Sequence, residues 1–128
     1  QEIIRKINKG AIEVEGCVLI GRHCEIGDGV RIVDSCIDNY TKIGNGAEIE
    51  ESAIMDRVII GDKAQIKESI VGRHVKVGSN HHKPTRIESV STIADDVIIE
   101  EGCVLSATKI YPHQYVRGIF KNQTLMPG

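Results

Sequence analysis

Branched aliphatic residues return along this chain at spacings of six, six and five. They fall at Ile20, Ile26, Ile32, then Ile37, Ile43, Ile49, then Ile54, Ile60, Ile66, then Val71 and Val77. The three intervals define a 17-residue unit, and three consecutive units align: IGDGVRIVDSCIDNYTK (26–42), IGNGAEIEESAIMDRVI (43–59) and IGDKAQIKESIVGRHVK (60–76). A fixed period means that each unit is one rung, unable to bury its own apolar face and stacked on its neighbours. Three short strands per unit, joined by tight corners, predict a triangular all-β solenoid, a single-stranded parallel β-helix of about six coils. No helical period competes with the pattern.

The aliphatic that opens each strand is expected to point inward. The residue four later is read as a second inward position, filled by Cys24, Val30, Cys36, Thr41, Ala47, Ala53, Val58, Ala64, Ile70 and Val75. Period-2 alternation sends the residues between them outward. The repeat also predicts columns of like residues on the outside: Ser35, Ser52 and Ser69; Asp34, Glu51 and Glu68; His23, Tyr40, Arg57 and His74. These read as a solvated face, with the acid column exposed or near basic groups. Gly21, Gly27, Gly44 and Gly61, each followed by a polar residue, read as strand corners and not as a phosphate cradle.

Composition narrows the core. There are 13 Gly but one Phe, three Tyr and no Trp, so the interior accepts stacked branched side chains and rejects aromatics. The net charge of −2, with acids and bases interspersed, argues against a nucleic-acid footprint. No run is long and apolar enough for a membrane span, no signal-peptide pattern is present, and a cytoplasmic chain is expected. The four cysteines (Cys17, Cys24, Cys36 and Cys103) lack metal-ligand spacing and read as reduced, buried small hydrophobes. The chain opens on Gln1 rather than Met, so a fragment or a processed chain is expected.

Two breaks interrupt the period. After Val77 the next aliphatic in register is Ile87, ten residues on, so about four residues are extruded near His81, His82, Lys83 and Pro84. Rungs resume at Ile93, Ile99 and Leu105, and Tyr111, Pro112 and His113 are expected to stop the strands. The predicted organisation is a β-helix over residues 1–110, with a loop insertion at 79–86, and a cap or tail over 111–128. Ile119, Phe120, Leu125 and Met126 are the expected lid on the last apolar rung.

The units resemble the hexapeptide repeat of left-handed parallel β-helix proteins over residues 8 to 110. That fold hosts acyltransferases, sugar-nucleotide enzymes, γ-class carbonic anhydrases and pure scaffolds, so fold alone does not give function. SCIDNYTKIGNGAEIEESAIM, IIGDKAQIKESIVGRHVKVGSN and the closing KIYPHQYV, with Pro112 and His113, resemble the C-terminal domain of sugar-nucleotide pyrophosphorylases, the nucleotidyltransferases that make ADP-glucose or GDP-mannose. The resemblance implies an assembly or regulatory accessory domain whose glucose-1-phosphate or mannose-1-phosphate chemistry, with its Mg2+, belongs to a separate N-terminal nucleotidyltransferase domain absent from these residues. It implies no catalytic residue and no cofactor here.

Two alternatives stand beside it. One is an acyl- or acetyltransferase, in which His81 or His82 is a general base and Lys83 or Arg86 steers an anionic cofactor. The other is a non-catalytic scaffold. A metal centre is not expected, because the remaining histidines, His23, His74 and His113, lie on distant rungs or at the tail. Outward apolar residues such as Ile59 and Val33 predict a homo-oligomer formed through the β-helix walls.

Overall fold

The computed structural model describes residues 2–127. It opens on a short helix that the aliphatic period does not announce, α1 (Glu2–Lys9). Glu2 in its first turn and Lys6 and Lys9 in its last suit the helix dipole. Ile3 and Ile7, one turn apart, are half-buried against the solenoid core. The helix stops where Gly10 takes φ +82°. There the Gly10 N–H bonds Ile7 O and the Ala11 N–H bonds Lys6 O, a glycine-terminated helix end. Helix α1 thus covers part of the first rung, and Lys6 Nζ donates to Ile26 O at 2.8 Å.

From Ile12 the chain winds as a left-handed parallel β-helix. The first wall begins with Ile12–Glu15, the second with Leu19–Ile20 and the third with Glu25–Ile26. The walls hold seven, seven and six strands, so there are six complete coils and part of a seventh. Ile32, Ile49 and Ile66 stack on the first wall; Ile37, Ile54 and Val71 on the second; Ile43, Ile60 and Val77 on the third. All nine are 3% exposed or less. Each isoleucine buried in this way contributes roughly 1.5–3 kcal/mol of transfer free energy.

The second inward position is set differently from the sequence expectation. It lies two residues before each aliphatic, not four after the previous one. The two counts agree in six-residue units, which is why Val30, Thr41, Ala47, Val58, Ala64 and Val75 are all buried. They part in the five-residue units, because the tight corner removes one residue. Cys36 and Ile70 therefore face solvent, Ala53 is half-exposed, and Ser35, Ser52 and Ser69 point into the core at 2%, 6% and 3% exposure. The serine column exists, but inside.

That column is a hydrogen-bonded ladder. Each serine hydroxyl donates to the carbonyl two residues back: Ser35 to Val33 O, Ser52 to Glu50 O, Ser69 to Lys67 O. Each also accepts a backbone N–H from the rung above, so Ser35 takes that of Ser52, Ser52 that of Ser69 and Ser69 that of Ser91. Ser91 takes the N–H of Thr108. The corner needs this help because Asp34, Glu51 and Glu68 turn it in the left-handed region, with φ of 45–48°. Among the described residues no buried side-chain nitrogen or oxygen lacks a partner.

The C-terminal segment departs from the expected tail. Strands Tyr115–Val116, Ile119–Lys121 and Thr124–Leu125 continue the three walls, pairing with the strands 15 to 17 residues before them. They escape the aliphatic period because the inward residues run Val116, Phe120, Leu125, at spacings of four and five, and one is aromatic. Phe120 and Leu125 pack on the core as expected of a lid, whereas Ile119 and Met126 are 71% and 61% exposed.

Candidate functional site

The loop between Val77 and Arg86 is where the repeat is interrupted, and its neck is tightly built. Ser79 is buried and its hydroxyl accepts the Thr85 N–H at 3.0 Å. Buried Thr85 donates its hydroxyl to Gly78 O and accepts the Gly102 N–H at 3.0 Å. Beyond the neck, Asn80 Oδ1 accepts the N–H groups of His82 and Lys83 at 2.9 and 2.8 Å. This short turn pushes His81, His82, Lys83 and Pro84 into solvent. The displacement is four residues, since Gln65 pairs with Arg86. One more residue enters at the following corner, where Ser89 and Val90 both take positive φ and Ile70 pairs with Thr92.

The two imidazoles meet edge to face with centroids 5.6 Å apart. Among the described residues no carboxylate lies within ion-pairing distance of either ring. A general base needs a partner that fixes its tautomer and aim. Neither His81 nor His82 has one. Arg86, the expected steering cation, points from the first wall and lies 3.4 Å from Glu88. No group of three or more His, Cys, Asp or Glu side chains among the described residues could hold a metal ion.

A second cluster lies along the corner between the second and third walls. His23, Tyr40, Arg57 and His74 form the expected column, each with φ between 57° and 61°. The His23 and Tyr40 rings stack at 5.1 Å, and the Arg57 guanidinium carbon lies 4.8 Å from the Tyr40 centroid. Beside them Asp56 accepts hydrogen bonds from Arg73 Nε and Arg57 Nη1, both at 2.7 Å. The Arg73 hydrogen bond, helped by Arg57, holds the Asp56 carboxyl below the usual carboxylate range. The coil period placed these residues in columns; it could not show that one carboxylate serves two guanidinium groups.

The cysteines divide. Cys17 and Cys36 are exposed, against the expectation that all four are buried. Cys36 moves out with the five-residue corner, and Cys17 sits where the first rung enters its own corner. Cys24 is half-buried and Cys103 buried, and burial pushes both thiols up from their ordinary pKa. Among the described residues no helix is long and apolar enough to cross a membrane.

A family model described as "GMPPB C-terminal domain" matches residues 14–125. Similar solved structures include the acetyltransferase domain of PglB from Neisseria gonorrhoeae, 15% identical with a TM-score of 0.71, covering 91% of this chain and 63% of that one. PerB from Caulobacter crescentus, solved with CoA and GDP-perosamine, is 19% identical with a TM-score of 0.62, covering 94% and 61%. The CcmM N-terminal domain in complex with CcmN is 22% identical with a TM-score of 0.55, covering 83% and 96%. The chain spans less than two thirds of the length of the first two. No curated protein sequence matches it.

Proposed function

The chain belongs to the GMPPB C-terminal domain family, and from that membership we propose that it is the accessory module of a cytoplasmic sugar-1-phosphate nucleotidyltransferase, serving assembly and regulation of the parent enzyme. The observation that carries this reading is the family match, which runs across all but the ends of the chain. The architecture supports it. Among the described residues the interior of the solenoid is filled by stacked aliphatics, which leaves the centre no place for a nucleotide. The chemistry then belongs to an N-terminal catalytic domain that uses Mg2+. The test is direct: the 128-residue chain, incubated with nucleoside triphosphates and sugar 1-phosphates, is expected to release no pyrophosphate above blank. Measurable turnover would sink the accessory role.

The second reading is acyl transfer at the His81/His82 loop. The extruded loop favours it, and PglB and PerB give it precedent on this fold. Their low identity speaks for the fold alone, and the unoriented imidazoles weigh against it. Calorimetric titration separates the two. Acetyl-CoA is expected to bind no better than millimolar; micromolar binding, lost in the His81→Ala, His82→Ala double variant, would reverse the ranking.

A further inference from the structure

Of the five asparagines, Asn45 alone is followed by glycine; Asn8, Asn39, Asn80 and Asn122 precede Lys, Tyr, His and Gln. With no side chain on the next residue, nothing hinders the glycine nitrogen from reaching the carboxamide carbon. That nitrogen, after losing its proton, can attack Cγ. The bond from Cγ to the carboxamide nitrogen breaks, ammonia leaves with the proton, and a five-membered imide remains. Water then opens the imide at one of its two carbonyls. The product is either an aspartyl chain or an isoaspartyl chain, whose main chain runs on through the side-chain carbons. No oxidant or reductant takes part.

The folded chain holds both reacting groups with a single residue of the rung below. Asn45 stands at the corner between the third wall and the first. Its Oδ1 accepts the Asp28 N–H at 2.9 Å, and the Gly46 N–H donates to Asp28 O at 2.9 Å. The carboxamide is therefore pinned away from its target. The Gly46 nitrogen keeps its proton, because a hydrogen bond made by the neutral form opposes the loss. From the rung above, Asp62 Oδ1 accepts the Asn45 N–H at 2.9 Å, and the Lys63 side chain lies across Gly46. Attack on Cγ requires the two Asp28 bonds to break, and they break when this coil parts from the one beneath.

We propose that Asn45 is a latent modification site, closed in the folded solenoid and opened only when its coil separates from the rung of Asp28, so that a transient opening becomes a lasting chemical change. The two products have different fates. The aspartyl form still offers an oxygen to the Asp28 N–H, as Asp62 already does to the N–H of Asn45. The isoaspartyl form adds one carbon to the main chain between Ile43 and Ile49. Ile49 pairs in register with Ile32 below and Ile66 above, so the added length has no place in the rung. A coil that has reacted in this way does not close again in register. The device is independent of the parent enzyme's chemistry.

The experiment is peptide mapping by mass spectrometry of the 128-residue chain, aged at mildly alkaline pH across a urea series. Conversion of Asn45 is expected to be at least about tenfold slower in the folded chain than in the unfolded one, and to rise with the unfolded fraction through the transition. Asn39 is the internal control: its Oδ1 accepts the Arg22 N–H at 2.7 Å, but Tyr40 follows it, and it should stay intact in both states. Once the urea is removed, the isoaspartyl form is expected to refold with a lower urea midpoint than wild type. The aspartyl form, and the Asn45→Asp variant prepared directly, are expected to keep the wild-type circular dichroism spectrum. Equal conversion rates in folded and unfolded chain overturn the proposal, as does an unfolded Asn45 that lasts as long as Asn39. Isoaspartyl chains with the wild-type midpoint, or an Asn45→Asp variant that does not fold, overturn the fates assigned to the products.

Discussion

Replacing Ser52 by alanine tests the buried ladder at its centre. The hydroxyl has two bonds, donating to Glu50 O at 2.8 Å and accepting the Ser69 N–H at 3.1 Å. Their loss is unequal. Glu50 O keeps a second partner, the Glu68 N–H at 2.9 Å. The Ser69 N–H belongs to a residue only 3% exposed, with no room for water to replace the lost oxygen. Leaving a buried donor unmade costs about 1–3 kcal/mol, more than the net worth of an ordinary hydrogen bond. For a chain of this size that is a fall in Tm of very roughly 3–12 °C. Urea denaturation should show the midpoint falling at constant slope. Ser52→Thr should keep most of the wild-type stability, because Thr108 already fills the same column and its hydroxyl makes the same bond, to Ser106 O at 2.9 Å. Alanine within about 0.5 kcal/mol of wild type, or threonine as damaging as alanine, would refute the ladder's role.

Other consequences are as open to measurement. Ala47 and Ala64 are fully buried one coil apart, so either changed to Phe should cost on the order of 1–3 kcal/mol or more, while Glu48→Ala and Gln65→Ala stay within about 0.5 by the same denaturation assay. The Asp56 carboxyl is held below its ordinary pKa by Arg73 and Arg57, so its contribution is present above the unfolded-state value and lost as pH falls through the folded one. Urea midpoints of wild type and Asp56→Asn should therefore differ at pH 7 and converge in acid below about pH 4. Exposed Cys17 and Cys36 should react quickly with a disulfide reagent, Cys24 slowly, and Cys103 only after unfolding; four equally fast thiols would contradict the burial described.

Much of the fold could be read from the spacing of isoleucines alone, because a rung that recurs every 17 residues leaves its largest side chains one direction to go. What escaped were departures from the count. A corner one residue shorter swaps inside for outside, which turned Ser52 inward and Cys36 outward. A corner two residues shorter, between Val116 and Phe120, hid the last strands, and Phe120 carries an aromatic where an aliphatic was sought. Helix α1, at eight residues, is too short for its Ile3 and Ile7 pair to register as a period. The loop at His81 and His82 was visible as a failure of register; that no carboxylate reaches either ring took the structure to see.

The serine ladder, the stacked isoleucines and the polar corners share one step, and that step makes the length of this chain an adjustable quantity. Excising 43–59 would slide Ile60 into the place of Ile43, Ser69 above Ser35 and Glu68 above Asp34, leaving every column continuous and the molecule one storey shorter. Duplicating the same segment would raise it by one. A cut of any other size is either expelled, as the four extra residues near His82 are, or forces every later side chain onto the wrong side. Insertions and deletions in whole coils are thus the changes this architecture can absorb, so related chains can differ in height without solving the packing problem again.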